Sequence, residues 1–182
     1  MSEQRIFIAL TLPEQIIQDL TDLQSGLPDI RWNPPEQMHV TLKFLGNVEE
    51  SLVESLCSEL ESLELEAPEV RVSGVGQFAQ RKAPPVLWAG LTPEEPLIEM
   101  HRAIEAMTGR LGFAREKRPF RPHVTLGRLK RSNPRRLHEY LELHHTFGSA
   151  PFQCTEVILF SSKLTSDGAI HEPLMITPLA AA

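Results

Sequence analysis

The chain has 182 residues, of which 41% are hydrophobic and 23% are charged, a composition typical of a soluble globular protein. Its formal net charge of -6 at pH 7 excludes a protein that coats nucleic acid non-specifically, because that function needs a basic surface. The length fits one domain, or two small lobes that share a core.

The N-terminal segment, the length of the apolar runs and the spacing of the cysteines predict a cytoplasmic protein. The first five residues run into a strand-like segment and lack the apolar stretch of a signal peptide. No apolar run reaches the roughly 20 residues that cross a bilayer. Cys57 and Cys154 have neither a CxxC partner nor metal-type spacing, so we expect reduced, buried thiols. We also expect a monomer, because no long apolar stripe remains unassigned.

The first half of the chain alternates between strand and helix patterns. Ile6, Ile8 and Leu10 recur at every second position, which is typical of a strand, whereas Leu52, Leu56 and Leu60 recur at helical spacing. The patterns predict, in chain order, a strand at 5–12, a helix opening at Pro13 and ending near Gly26, a turn at 33–35, a strand at 38–45 that stops at Gly46, a helix at 48–63, and strands at 70–78 and 86–91 joined by a turn at 81–85.

The second half repeats this order. It predicts a helix at 96–111, a loop rich in Arg and Pro, a strand at 122–129, a helix opening at Pro134, and strands near 153–164 and 170–178 joined by a turn at 166–168. The implied class is α+β, with two antiparallel sheet lobes and outer helices related by a pseudo-two-fold, facing each other across a groove. We treat residues 1–182 as one bilobal domain. The place of segment 5–25 in the repeat stays open.

One four-residue word occurs twice, as His39-Val40-Thr41-Leu42 and as His123-Val124-Thr125-Leu126. In a strand, residues i and i+2 lie on the same face, so each copy presents an imidazole and a hydroxyl together, with the apolar residues facing the core. One such word on a strand is weak evidence, but two identical copies on corresponding strands are not expected by chance. If the lobes are related by a pseudo-two-fold, the two pairs converge in the groove.

Two converging His–Thr pairs suit hydrolysis of a phosphodiester. One imidazole can take a proton from water while the other protonates the departing oxygen, because imidazole titrates near pH 6.5. The hydroxyls of Thr41 and Thr125 can donate hydrogen bonds to the phosphate oxygens. A strained cyclic phosphate needs no metal or other cofactor for this reaction. These residues by themselves do not decide which histidine is the acid and which is the base.

Other residues near the motifs have two interpretations each. Alternation places Lys43 on the His39 face, where it adds positive charge or extends to solvent, and places Phe44 on the apolar face. Alternation also places Arg128 opposite His123, so a bulge or a strand end after Gly127 is needed to bring it to the groove.

Phe7 has two interpretations, stacking on a base or packing in the core, and we favour packing in the core. The basic stretch 115–136 holds nine of the eighteen Lys and Arg residues, and is either a local phosphate attractor or a solvated face. The remaining histidines are interpreted as structural or exposed, and the pair at 144–145 has no third metal ligand at suitable spacing: His101, His138, His144, His145 and His171.

The chain resembles the two-histidine phosphoesterase superfamily and, within it, the RNA 2′,3′-cyclic phosphodiesterase family. The likeness spans essentially the whole chain and is carried by segments 5–9, 38–46 and 118–128. It implies the bilobal fold and the opening of 2′,3′-cyclic phosphates to 2′-phosphates. It also implies that His39 is the proton donor and His123 the proton acceptor, with Thr41, Thr125 and a basic residue at Arg128 on the phosphate.

Three functions remain open from the sequence. The first is hydrolysis of 2′,3′-cyclic phosphates on RNA ends or nucleotides. The second is reversible 2′–5′ joining of RNA ends, because a 5′-hydroxyl can attack in place of water at the same histidines. The third is a non-catalytic module that binds RNA ends.

Overall fold

The computed structural model, described for residues 3–79, 83–131, 133–166 and 168–181, contains nine strands and four α-helices within those ranges. The strands are β1 (Glu3–Leu10), β2 (Ile30–Trp32), β3 (Val40–Glu49), β4 (Glu69–Phe78), β5 (Val86–Thr92), β6 (His123–Leu129), β7 (Phe152–Gln153), β8 (Glu156–Thr165) and β9 (Gly168–Pro178). The helices are α1 (Glu14–Asp22), α2 (Glu50–Glu61), α3 (Glu95–Arg110) and α4 (Pro134–His144). None of these helices is long and apolar enough to cross a membrane.

The strands form two antiparallel sheets. Sheet one has the order β3-β1-β8-β9, and sheet two has the order β2-β6-β5-β4-β7. The two motif strands, β3 and β6, therefore belong to different sheets. The predicted α+β class with two antiparallel lobes is confirmed.

One long strand of each half, β4 or β8, crosses to the other lobe. With β2, β7 and β9 left aside, the first half runs β1-α1-β3-α2-β4, and the second runs β5-α3-β6-α4-β8. In both halves the first strand pairs with the motif strand, but β4 pairs with β5 in sheet two and β8 pairs with β1 in sheet one. Segment β1-α1, whose place the sequence left open, thus corresponds to β5-α3, and the halves of the sequence do not coincide with the lobes.

The helices and both sheets share one hydrophobic core. Helix α3, for example, buries Leu97, Met100, Ile104 and Met107, which recur at helical spacing along one face. Burying each such side chain stabilises the fold by roughly 1.5–3 kcal/mol. Because the helices occupy the core side of the sheets, side chains on the opposite sheet faces are free to line a groove.

Strand β3 continues past the predicted stop at Gly46. This glycine adopts a positive φ of 77°, which bends the chain, yet it still pairs with Ile6 of β1. Val48, predicted to open a helix, is instead a buried strand residue, and α2 begins at Glu50. A glycine in a strand thus marks a local bend here, not the end of the element.

Three further elements differ from the sequence predictions. The strand expected at 153–164 is divided into β7 in sheet two and β8 in sheet one, with the buried Cys154 between them. The short strand β2 was not predicted, and helix α1 begins one residue after Pro13. Cys57, expected to be buried, is only partly so. The predicted turns at 81–85 and 166–168 lie partly outside the described residues.

Candidate active site

A cavity of about 620 Å³ lies between the two sheets. Strands β1, β3, β8 and β9 line it from sheet one, and β2 and β6 line it from sheet two. All five residues singled out in the sequence are in its lining: His39, Thr41, His123, Thr125 and Arg128. The fold therefore brings together two motifs that are far apart in the chain.

Each motif strand contains a β-bulge at the fourth residue of the repeated motif. In β3, Thr41 and Lys43 pair with consecutive residues of β1, so Leu42 is an extra residue without a partner. In β6, Leu126 is the extra residue opposite β5 in the same way. One extra residue reverses the inside–outside alternation of the residues that follow it, up to the next irregularity. The residues directly after each motif therefore face the opposite way from simple alternation, and in β3 a second extra residue, Leu45, restores the alternation from Gly46 onward.

The bulge at Leu126 explains the position of Arg128. Strict alternation put this side chain on the face opposite His123, and a bulge or strand end after Gly127 was needed to reverse it. The bulge falls just before Gly127, and the exposed Arg128 side chain lines the cavity with His123.

The corresponding predictions on β3 were wrong for the same reason. Phe44, expected in the core, is 67% exposed and lines the cavity. Lys43, expected on the His39 face, is buried on the other side. Its ammonium group forms an ion pair with Glu105 of α3 and donates to the carbonyl oxygen of Ala114 at 3.0 Å. Lys43 therefore contributes no charge to the cavity surface.

Donors from outside each motif strand form hydrogen bonds to the carbonyl oxygens of the bulged residues. His101 Nδ1 of α3 donates to the carbonyl oxygen of Leu42 at 2.8 Å. The carbonyl oxygen of Leu126 accepts from the backbone N–H of Asn33 at 2.8 Å and from Gln24 Nε2 at 3.2 Å. Because a buried carbonyl without a donor is costly, these contacts stabilise both bulges and so fix the direction of the cavity side chains.

His123 is held in one tautomer by the backbone. Its Nδ1–H donates to the carbonyl oxygen of Arg121 at 2.6 Å, which leaves Nε2 as the unprotonated nitrogen of the neutral ring. Burial lowers the pKa of His123 below its usual value, and the hydrogen bond to Arg121 opposes that shift in part. At neutral pH this imidazole is therefore a proton acceptor.

His39 lies in a more buried environment. Its ring packs on Phe7, with ring centroids 5.1 Å apart, and Phe7 itself is only 2% exposed, as the core interpretation predicted. Burial lowers the pKa of His39 to about 4, with smaller contributions from the neighbouring His171 and His123 imidazoles. The two motif histidines line the same cavity.

His171 is a cavity residue that sequence reasoning missed. The sequence interpreted it as structural or exposed, but its ring lies edge-on to His39 at a centroid distance of 5.6 Å. Its Nδ1 is buried and makes no hydrogen bond to the part of the chain that the structure describes. No motif marks this residue, since only the pairing of β9 with β8 brings it beside the first motif.

The cavity is positively charged in a protein with net negative charge. Arg5, Arg31 and Arg128 line it, and its described lining contains no Asp or Glu. Of the basic stretch 115–136, only Arg128 is a cationic residue of this lining. Positive groups around a concave surface concentrate an anion there. Within the described ranges, no group of three or more His, Cys, Asp or Glu side chains is placed to hold a metal ion.

The fold and the paired histidines define a class of phosphoesterases, and comparison with known proteins agrees. The family model "LigT like Phosphoesterase" matches residues 10–88 and 90–171, so the chain belongs to this family. An RNA 2′,3′-cyclic phosphodiesterase of Archaeoglobus fulgidus is 30% identical over 178 residues, covering 94% of this chain and 98% of the relative. That of Methanocaldococcus jannaschii is 28% identical and covers 92% and 96%.

Solved structures show the same fold. Escherichia coli LigT complexed with 3′-AMP superposes with a TM-score of 0.80 at 23% identity, covering 98% of this chain and 99% of that one. The same protein complexed with phosphate has a TM-score of 0.77 at 21% identity, covering 99% of both chains. The resemblance named from the sequence is confirmed, and the protein is an enzyme of the phosphoesterase class.

Proposed function

We propose that this phosphoesterase opens 2′,3′-cyclic phosphates on RNA ends or nucleotides and leaves a 2′-phosphate. The observation that carries the proposal is the meeting of His39 and His123, each with its threonine, in one positively charged cavity. The curated relatives from Archaeoglobus fulgidus and Methanocaldococcus jannaschii, both named RNA 2′,3′-cyclic phosphodiesterase, support the substrate class.

His123 acts as the general base in this proposal. Because its Nδ1–H is engaged by the carbonyl oxygen of Arg121, the lone pair of Nε2 is available to a water molecule in the cavity. The lowered pKa keeps the ring unprotonated at neutral pH. As water attacks phosphorus, its proton passes to Nε2. The tautomer supports the role that the family resemblance gave to this residue.

His39 acts as the general acid and receives its proton with the substrate. Its pKa of about 4 means that the imidazole carries no proton at pH 7 without an anion beside it. A phosphate anion in the cavity introduces an opposite charge, which raises the pKa of a neighbouring imidazole. The protonated ring then donates to the 3′-oxygen as the P–O3′ bond breaks, and the phosphate stays on the 2′-oxygen.

Thr41, Thr125 and Arg128 hold the phosphate. The hydroxyls donate to non-bridging oxygens, and the guanidinium of Arg128 balances the charge that develops in the transition state. We infer that this arrangement works without a metal ion, because the strained ring needs only acid, base and charge stabilisation. Activity is therefore expected to be unchanged by EDTA, and its loss on chelation would contradict this part of the proposal.

The deciding experiment uses a nucleoside 2′,3′-cyclic phosphate and an oligonucleotide with the same end. We expect a 2′-phosphate as the product, identified by chromatography against both isomers. His39→Ala and His123→Ala should each lower kcat by about 10²–10⁴-fold, the usual contribution of one proton transfer. The matched control is His138→Ala, since His138 is exposed on α4 and does not line the cavity.

Circular dichroism should show that all three variants fold. Wild-type activity in either His39→Ala or His123→Ala would contradict the mechanism, and a 3′-phosphate product would reverse the assignment of the leaving oxygen. Binding of the cyclic phosphate without turnover by the wild-type protein would favour the RNA-end binding module that the sequence left open.

A further inference from the structure

A second cavity opens on the other side of His123. It has a volume of about 560 Å³ and lies over β4, β5 and the segment that leads into β6. His123 lines both cavities. A ligand in the second cavity would therefore lie beside the phosphate on which His123 is proposed to act in the first. Among the described residues, His123 is the one that the two cavities share.

Aromatic rings form one wall of this cavity. The Phe78 and Trp88 ring centroids are 5.3 Å apart, and Phe78 meets His123 edge-on at 4.8 Å. Trp88 lies against β4 because Gly76 has no side chain there: a Cβ on Gly76 would come within 2.3 Å of Trp88 Cζ2. A Cβ on Gly90 would come within 2.7 Å of the carbonyl oxygen of Ser73, so this glycine allows β4 and β5 to approach closely beside the indole.

The cavity has features that the packing of the fold does not use. Trp88 Nε1 is buried without a hydrogen-bond partner among the described residues, which is uncommon in folded proteins. Arg121 lies at the rim with an exposed side chain that forms no ion pair with any described residue. Glu94 also lines the cavity, so Arg121 is the group there that can contact an anion. An aromatic wall and a cation beside a histidine of the proposed phosphate site match the two parts of a nucleotide, its base and its phosphate.

We propose that the second cavity is a nucleoside subsite, in which a base stacks on Trp88 and Phe78 and Arg121 contacts a backbone phosphate. This inference rests on the proposed function, because the cavity adjoins His123, which acts on the cyclic phosphate in that proposal. Two sources supply the same chemistry: the neighbouring nucleotide of the substrate RNA, or a separate nucleoside with a free 5′-hydroxyl.

In the second case the group transfer is balanced without a further reactant. The 5′-oxygen bonds to phosphorus and gives its proton to His123 Nε2, while the P–O3′ bond breaks and His39 protonates O3′. The product is a 2′–5′ phosphodiester.

The first arm of the test compares a cyclic mononucleotide with a dinucleotide that carries the same cyclic end. If the cavity binds the neighbouring nucleotide, the dinucleotide has the higher kcat/KM, and Trp88→Ala reduces that preference by about ten-fold, as expected for the loss of one stacked base. Trp88→Phe, which keeps a ring, retains most of the preference. The measured quantity is the ratio of the two specificity constants, so a general effect of the substitution cancels.

The second arm adds a nucleoside with a free 5′-hydroxyl to the cyclic mononucleotide and measures the ratio of phosphodiester to 2′-phosphate. If the cavity binds the attacking nucleoside, transfer product forms, and Trp88→Ala lowers that ratio. Arg121→Ala should reduce the preference for the dinucleotide if the first arm responds, or the ratio of phosphodiester to 2′-phosphate if the second arm responds. Arg135→Ala, which removes the same charge from an exposed position of α4, should leave both ratios unchanged.

The outcomes distinguish a failure of the proposed subsite from a failure of the proposed function. A length preference or a transfer product that depends on Trp88 supports the subsite and identifies its source. Hydrolysis of the mononucleotide with ratios that neither Trp88→Ala nor Arg121→Ala alters overturns the subsite and leaves the proposed function intact. Absence of hydrolysis of the mononucleotide by the wild-type protein overturns the function on which the subsite rests.

Discussion

At the residue scale, the two motif histidines occupy different environments. His123 is anchored by the backbone carbonyl of Arg121, whereas His39 is buried against Phe7 and flanked by His171. Burial disfavours the charged imidazole in both cases, so both pKa values lie below 6.5. The same four-residue motif thus yields two imidazoles in different environments, each with a lowered pKa.

The pH dependence of the proposed hydrolysis follows from these shifts. As pH falls, His123 becomes protonated and ceases to act as a base, and as pH rises, His39 loses the proton it must donate. Because both pKa values lie below 6.5 in the free protein, kcat/KM should be bell-shaped with its maximum below pH 6.5. The kcat profile should lie at higher pH, because the bound phosphate raises both pKa values.

Steady-state rates between pH 4 and 9 on a cyclic mononucleotide check this expectation. His171→Asn should shift the kcat/KM profile to higher pH, since His171 lowers the pKa of His39. His138→Asn, on the exposed face of α4, is the control and should leave the profile unchanged. A kcat/KM profile that is flat over this range, or one with its maximum above pH 7, would contradict the paired roles.

At the scale of elements, the bulge after each motif decides which side chains reach the cavity. Alternation predicted the faces correctly as far as Thr41 and Thr125 and failed for the residues directly after them, since one extra residue reverses the faces. In β3 the second extra residue, Leu45, restores them. The donors that stabilise the bulges come from other elements, such as His101 of α3. The sequence of the strand itself contains no pattern that predicts these donors or the bulge, so Phe44 and Lys43 were assigned to the wrong faces.

The ion pair between Lys43 and Glu105 connects the bulged strand β3 to α3. Lys43→Met would leave the Glu105 carboxylate buried without its cation, which costs about 3–5 kcal/mol of unfolding free energy. The double variant Lys43→Met/Glu105→Met should recover most of that loss, because no buried charge remains. Urea unfolding at pH 7 measures both quantities.

The control for this prediction is an ion pair at the surface. Arg135→Ala removes an exposed partner of Glu139 on α4 and should change the unfolding free energy by less than about 1 kcal/mol. If Lys43→Met also costs less than this, or if the double variant is less stable than the single one, the buried pair does not have the stabilising role inferred here.

At the scale of the whole molecule, the exchange of β4 and β8 makes each lobe depend on both halves of the chain. Sheet one needs β8 beside β1, and sheet two needs β4 beside β5. A half alone would expose the unpaired edges of its central strands and the apolar face of its helices. We therefore propose that residues 1–182 act as one bilobal domain.

This dependence is tested by dividing the chain. Residues 1–83 and 84–182, produced separately, should each lack a cooperative thermal transition and a dispersed proton spectrum. The full chain under the same conditions is the reference and should unfold in one transition. A fragment that unfolds cooperatively by itself would show that its half is an independent domain.

The sequence by itself determined the elements and the chemistry of the motifs. Hydrophobic periodicity is a local property, so most strands and helices, the α+β class and the two His–Thr pairs could be predicted from it. The tertiary structure alone decided the crossing of β4 and β8, the bulge at Leu126 that brings Arg128 to the cavity, and the place of His171 beside His39. These features depend on hydrogen bonds and strand pairs between residues distant in the chain, which no local pattern records.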